Sequence, residues 1–353
     1  MFSKADQGVK YSLFSVSDYY SDYHSSPDHF IREMIELGVV AEEMGYDGYF
    51  NAEHHFHEYG LIPDPAVLLS AVAVKTERIL LGPAVSVLPF HHPLRVAEEW
   101  ALVDQISQGR LILGIGSGYL MHEFEGFMLS PAQKRARFDE TLAIMKRALT
   151  GEVFSYEGEF YNLRNVRLNI TPYQGRELEM PIAVLAEQAA YYIGKKGHPL
   201  MSVPYATVET IEGLKPFYES YQRGWREGGH PGRGKIYAAI HVHTGDQPAQ
   251  KDDIARKHLE IYVYSRLYAK HSSYDQCLER GVVAMGTPEE VCTTLQAFIN
   301  AGADHLMFIF NFGAMPFSEV VRSMERTIEE VVPQLQPPMA LGEVAPVSGP
   351  AGS

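Results

Sequence analysis

The 353-residue chain has only two cysteines, Cys277 and Cys292, and neither belongs to a CxxC pair. That excludes a disulfide framework and a zinc ribbon, and suits a reducing compartment. No stretch reaches the roughly 18–20 consecutive apolar residues needed to span a bilayer as a helix. The opening residues, MFSKADQGVK, contain no apolar signal core, so a cytoplasmic location is expected. Positive charge is scarce: 30 Lys and Arg against 44 Asp and Glu leave a net charge of −14. Such a surface repels nucleic acid and anionic membranes, so neither is expected as a partner. Hydrophobic residues make up 46% of the chain, enough for a large core without metals or cross-links.

What is present is an alternation of short apolar runs with stretches of helical period, the pattern of repeated βα units. Strands are expected at residues 11–16, 49–52, 79–88, 111–115, 181–185, 200–203, 236–243 and 305–310. Helices are expected at 28–44, 64–76, 93–106, 137–149, 288–300 and 318–332. Phe30, Met34, Leu37 and Ala41 form one apolar stripe in the first helix. Eight strands in this order predict a (β/α)8 TIM barrel, a single domain over residues 1–335. Two insertions interrupt it, after strands 4 and 7, near residues 152–175 and 245–287. The first is rich in Tyr, Asn and Thr and reads as a β-hairpin, either a lid over an apolar substrate or a cover for the core from outside. The Pro- and Gly-rich tail, 336–353, is expected to be disordered.

In such a barrel the chemistry sits on the loops that follow the strands. After the second strand comes Glu53-His54-His55-Phe56-His57-Glu58, a cluster of titratable groups able to move protons near neutral pH. The fourth strand runs into Gly114-Ile115-Gly116-Ser117-Gly118, whose backbone can approach a ligand closely and cradle an anion. Its spacing lacks the third glycine of a dinucleotide fingerprint. The third strand, Gly82-Pro83-Ala84-Val85-Ser86-Val87-Leu88-Pro89, carries small residues that leave space for a flat ring. His241-x-His243 puts two imidazoles on one face of a strand, so a metal-dependent hydrolase is an alternative. Adjacent His54 and His55 point apart and make a poor chelate unless the loop twists, and His91-His92 is a further histidine pair.

Together these segments resemble the bacterial luciferase-like flavin monooxygenase superfamily. The resemblance runs through Ala52–Phe56, Gly82–Pro89, Pro93-Leu94-Arg95-Val96-Ala97-Glu98-Glu99 and Asp104-Gln105-Ile106-Ser107-Gln108-Gly109-Arg110, then into Gly114–Gly118. Gly286-Thr287-Pro288-Glu289-Glu290 and Gly302-Ala303-Asp304 resemble the family's closing segment, so most of residues 10–335 is covered. The resemblance implies that His54 is the active-site histidine. It implies that Ala84–Val85 is a non-proline cis peptide against which the isoalloxazine packs. Gly116, Ser117 and Gly118 would form one side of the phosphate site, and Glu187-Gln188 would lie on the other side of the flavin. Ser117 stands where the family can place an arginine, and Gln188 replaces a serine. Gly116 occupies the reactive-cysteine position and is expected to leave room above the ring.

The activity so implied is that of an FMNH2-dependent monooxygenase. A separate flavin reductase would supply FMNH2, a C4a-(hydro)peroxyflavin would form with O2, and a small organic substrate would be oxygenated. A homodimer through helices near strands two and three is implied as well. Two alternatives share the barrel: an F420-dependent hydride-transfer oxidoreductase, and a non-catalytic flavin-binding partner subunit.

Overall fold

The computed structural model describes residues 8–266 and 271–337. Among the described residues twelve strands occur in chain order: β1 (Lys10–Ser15), β2 (Gly48–Asn51), β3 (Leu80–Pro83), β4 (Ser86–Val87), β5 (Ile115–Gly116) and β6 (Phe154–Glu157), then β7 (Asn162–Val166), β8 (Ile182–Ala183), β9 (Leu200–Ser202), β10 (Ile236–Thr244), β11 (Ala284–Gly286) and β12 (His305–Ile309). The main sheet runs β3-β2-β1-β12-β10-β9-β8-β5-β4, with every pairing parallel and β11 added beside β10. β3 and β4 are two parts of one chain pass, separated by Ala84–Val85. The Ile112 N–H donates to the Leu81 carbonyl at 2.8 Å and the Ser86 N–H to that of Gly114 at 2.9 Å, which closes the ring. The architecture is the expected eight-pass α/β barrel.

Helices fill the crossovers where the sequence places them. Pro27–Glu43 is capped by Ser26 and buries Phe30, Met34, Leu37 and Ala41 against the sheet. Pro93–Ile106 starts at a proline, where the missing N–H costs nothing, and the preceding His92 side chain accepts from the Leu94 N–H. Pro288–Ala301 carries a reciprocal cap between Thr287 and Glu290. The Asp104–Arg110 segment turns out to be structural. Buried Asp104 pairs with Arg176, and the Arg110 guanidinium donates to the carbonyls of Ala73, Thr76, Ile79 and Ser107.

The 152–175 excursion is an antiparallel hairpin, β6 with β7. It follows the fourth crossover helix, Lys134–Ala148, and lies along that helix. Glu140 accepts from the Phe160 and Tyr161 N–H groups, and Arg137 stacks on the Phe160 ring. The hairpin therefore covers the barrel wall from outside and is no lid. The second insertion does reach the mouth, through the helix Asp253–Ser265. Of the expected tail, Gln336 donates its N–H to Gln296 at 2.8 Å, and residues 338–353 lie outside the described residues.

Candidate active site

Side chains alternate along each strand, so every second residue of the barrel points inward. Ser12, Phe50, Tyr237 and His305 plug the lower interior; Phe50 and Tyr237 meet edge-to-face, and Tyr237 stacks on His305. Above them Phe14, Met201, Ala239 and Met307 form the floor of a cavity of about 300 Å³ at the strands' C-terminal ends. Its size suits a small-molecule site, and its position is where barrel enzymes keep theirs.

His54, Ala84, Val85, Gly116, Ser117 and Gly118 all line this cavity, so six of the eight sequence candidates converge. Glu187 and Gln188 do not line it. Their side chains are exposed on the first turn of the helix Glu187–Lys195, and it is Leu185, Ala186 and Ala189 that face inward. The peptide bond between Ala84 and Val85 is cis. Gly116 leaves no open room: a Cβ there would lie 2.5 Å from Val85 Cγ2, so the missing side chain is what lets Val85 pack across the ladder.

His54 is almost enclosed. Its Nδ1 lies 3.0 Å from Oε1 of buried Glu123, which also accepts the His55 N–H at 3.0 Å. A proton on Nδ1, held by the carboxylate, leaves Nε2 as the basic nitrogen. The rings of Tyr59 and Tyr119 flank it, with centroids 4.7 and 6.5 Å away.

Beside it, Glu53 anchors the loop. Oε1 meets His55 Nε2 at 3.1 Å and His91 Nε2 at 2.8 Å, and Oε2 accepts the Val87 N–H at 3.0 Å. Burial alone raises the Glu53 carboxyl, but these donors outweigh it and hold the group at about 2, below its ordinary 4.5. Burial likewise pushes His91 down, and Glu53 more than compensates, so His91 sits above its usual value. A carboxyl depressed on folding stabilises above its unfolded pKa and loses that contribution as pH falls through its folded one. Glu53→Gln is therefore expected to cost most stability near about pH 5 and steadily less toward about pH 2. Urea unfolding of both proteins across that range reads the gap; a constant gap would contradict the charged pairing.

The remaining polar wall was not foreseen. Lys134 and Arg135, at the start of the fourth crossover helix, line the cavity with Ser117 and Gly118. Arg135 also pairs with Asp139 at 2.9 Å. The helix beginning at Glu187 has no side-chain cap on its first turn. Gly118 adopts a left-handed φ of 75°, which frees the turn to expose its backbone. Basic side chains, a hydroxyl and an uncapped helix turn on the wall of an apolar cavity can together hold an anion.

The paired histidines do not assemble a chelate. His243 Nδ1 bonds Asp252 at 2.7 Å, whereas His241 lies among Tyr205, Tyr262 and Phe312. Among the described residues, no three His, Cys, Asp or Glu side chains converge as a metal site. No helix among them is long and apolar enough to cross a membrane.

An eight-pass barrel with this mouth has clear relatives. The luciferase-like monooxygenase family profile matches residues 9–305, and the chain belongs to that family. It is 24% identical over 351 residues to the oxygenase component of a flavin-dependent trigonelline monooxygenase of Acinetobacter baylyi, covering 92% of this chain and 95% of that one. The monooxygenase RslO1 of Streptomyces bottropensis superposes with a TM-score of 0.85 at 26% identity, over 92% of this chain and 99% of that one. An F420-dependent secondary alcohol dehydrogenase shares the fold, with a TM-score of 0.73 at 17% identity over 93% and 99%.

Proposed function

We propose that this chain is the oxygenase of a two-component system, taking FMNH2 from a separate reductase and using O2 to oxygenate a small organic substrate. The observation that carries the reading is one cavity with an apolar middle, an anion cradle at one end and a buried His–Glu pair beside it. The donors fit FMN. Ser117, the Gly118 turn, Lys134, Arg135 and the open helix turn at Glu187 would hold its phosphate. Val85 and Ala84 would give the ring a flat apolar wall. When bound, the reduced flavin supplies the electrons that activate O2.

The chain's own part is to orient and to exclude water. Phe14, Met201 and Met307 close the floor, so groups inside act in a low-dielectric setting. His54, with its Nδ1 proton fixed by Glu123, takes or returns a proton at Nε2 as the substrate is oxygenated. The relative named as a flavin-dependent oxygenase component supports both the cofactor class and the reductase partner. Exposed Val67 and Leu102, on the helices after the second and third strands, support a homodimer through that face.

An oxygen pulse on the anaerobic complex with reduced FMN tests the reading. Peroxide release slower than from free reduced FMN is expected. Tight F420 binding without O2 consumption would replace the oxygenase with a hydride-transfer enzyme.

A further inference from the structure

Arg266 ends the helix Asp253–Ser265 and is only 7% exposed, yet it faces the cavity without an acidic partner among the described residues. Among the described residues its Nη1 is buried with no hydrogen-bond acceptor. Nη2 donates to the Tyr119 hydroxyl at 3.2 Å. The guanidinium carbon lies 5.1, 5.4 and 5.7 Å from the ring centroids of Tyr59, Tyr262 and Tyr205. Phenol faces stabilise a cation partly, but a buried guanidinium still lacks the counter-charge that normally offsets its desolvation. Tyr59 and Tyr119 also touch the His54 ring, which sets Arg266 on the reaction side of the cavity.

We propose that Arg266 is the substrate's recognition group and that the substrate is an apolar organic acid, its carboxylate bound by the free Nη1 and its hydrocarbon part held by the cavity's apolar wall. This rests on the oxygenase reading above and names its substrate class. A planar guanidinium receives a carboxylate oxygen in line with its N–H, and the surrounding tyrosines exclude water from the pair. A neutral ester of the same shape leaves the cation uncompensated.

The test titrates FMN-loaded protein, and in parallel flavin-free protein, with benzoate, phenylacetate and octanoate, each against its methyl ester. At least one acid is expected to bind about tenfold to hundredfold tighter than its ester, the range of a hydrogen bond to a charged group. Arg266→Met should abolish that preference, Arg266→Lys should keep part of it, and FMN affinity should stay within about twofold in both, which also shows that the variants fold. No acid binding, equal binding of acid and ester, or a preference that survives in Arg266→Met overturns the proposal. So does weakened FMN binding in Arg266→Met, which would assign the residue to the phosphate instead. Failure of the wild-type protein to bind FMN strikes the oxygenase reading, while the flavin-free titration still decides for or against the acid.

Discussion

Replacing His54 with alanine is expected to lower oxygenation by about a hundredfold to ten-thousandfold, the usual contribution of a positioned proton carrier. The effect follows from the geometry. His54 lines the cavity, and among the described residues its imidazole is hydrogen-bonded to Glu123, 3.0 Å from Nδ1, so Nε2 remains for the proton that moves. Removing the imidazole leaves the apolar wall of Ala84 and Val85 and the basic side chains of Lys134 and Arg135 untouched, and FMN affinity is expected to change by no more than about twofold. Glu123→Gln keeps a partner for Nδ1 but loosens the choice of tautomer, and should cost about tenfold to hundredfold. Rates are read as product formed per reduced FMN on the best substrate from a screen of small ketones, aldehydes and aromatic acids. A His54→Ala enzyme with unaltered product yield and rate would remove the histidine from the mechanism.

The second large effect belongs to the cradle. Lys134→Ala with Arg135→Ala is expected to weaken FMN binding by at least about a hundredfold, since charge-assisted hydrogen bonds contribute about 1.5–3 kcal/mol each. Lys134 should account for more of it. Arg135 is half exposed and already paired with Asp139 at 2.9 Å, so solvent and that carboxylate reduce what it can give to a phosphate. Riboflavin lacks the phosphate and should bind wild type and double variant alike, which separates the phosphate contribution from the ring's. Equal loss for riboflavin and FMN would mean that the two residues shape the cavity generally and hold no phosphate.

Local signals in the sequence carry the barrel well, because each crossover obeys a short-range rule. Pro93 after a capping residue starts its helix, and Gly109 with φ of 86° follows its end, so both boundaries of Pro93–Ile106 could be read without tertiary information. His54 was legible too, as one of several titratable groups clustered at a strand end. Its partner was not. Glu123 sits 69 residues away on the six-residue helix Met121–Gly126, with no spacing rule to link it to His54. Arg266 was hidden in the same way, since Tyr262 one turn earlier is joined around it by Tyr59, Tyr119 and Tyr205, all distant in the chain. The hairpin of β6 and β7 shows the converse. Its strands were readable, but its place against the Lys134–Ala148 helix depends on Glu140 meeting two backbone N–H groups. Gly116 misled because a missing side chain suggests space, and only packing shows that Val85 takes it.

The oxygen pulse on the anaerobic reduced-FMN complex bears most directly on the central claim, that this cavity holds reduced flavin and shields its reaction with O2. Stopped-flow absorbance follows flavin reoxidation while a peroxide assay follows what is released. Saturable reduced-FMN binding is expected and, with the cavity excluding water, peroxide release at least about tenfold slower than from free reduced FMN. Reoxidation and peroxide release at the free-flavin rate with saturating protein, or no binding of reduced FMN at all, would contradict it.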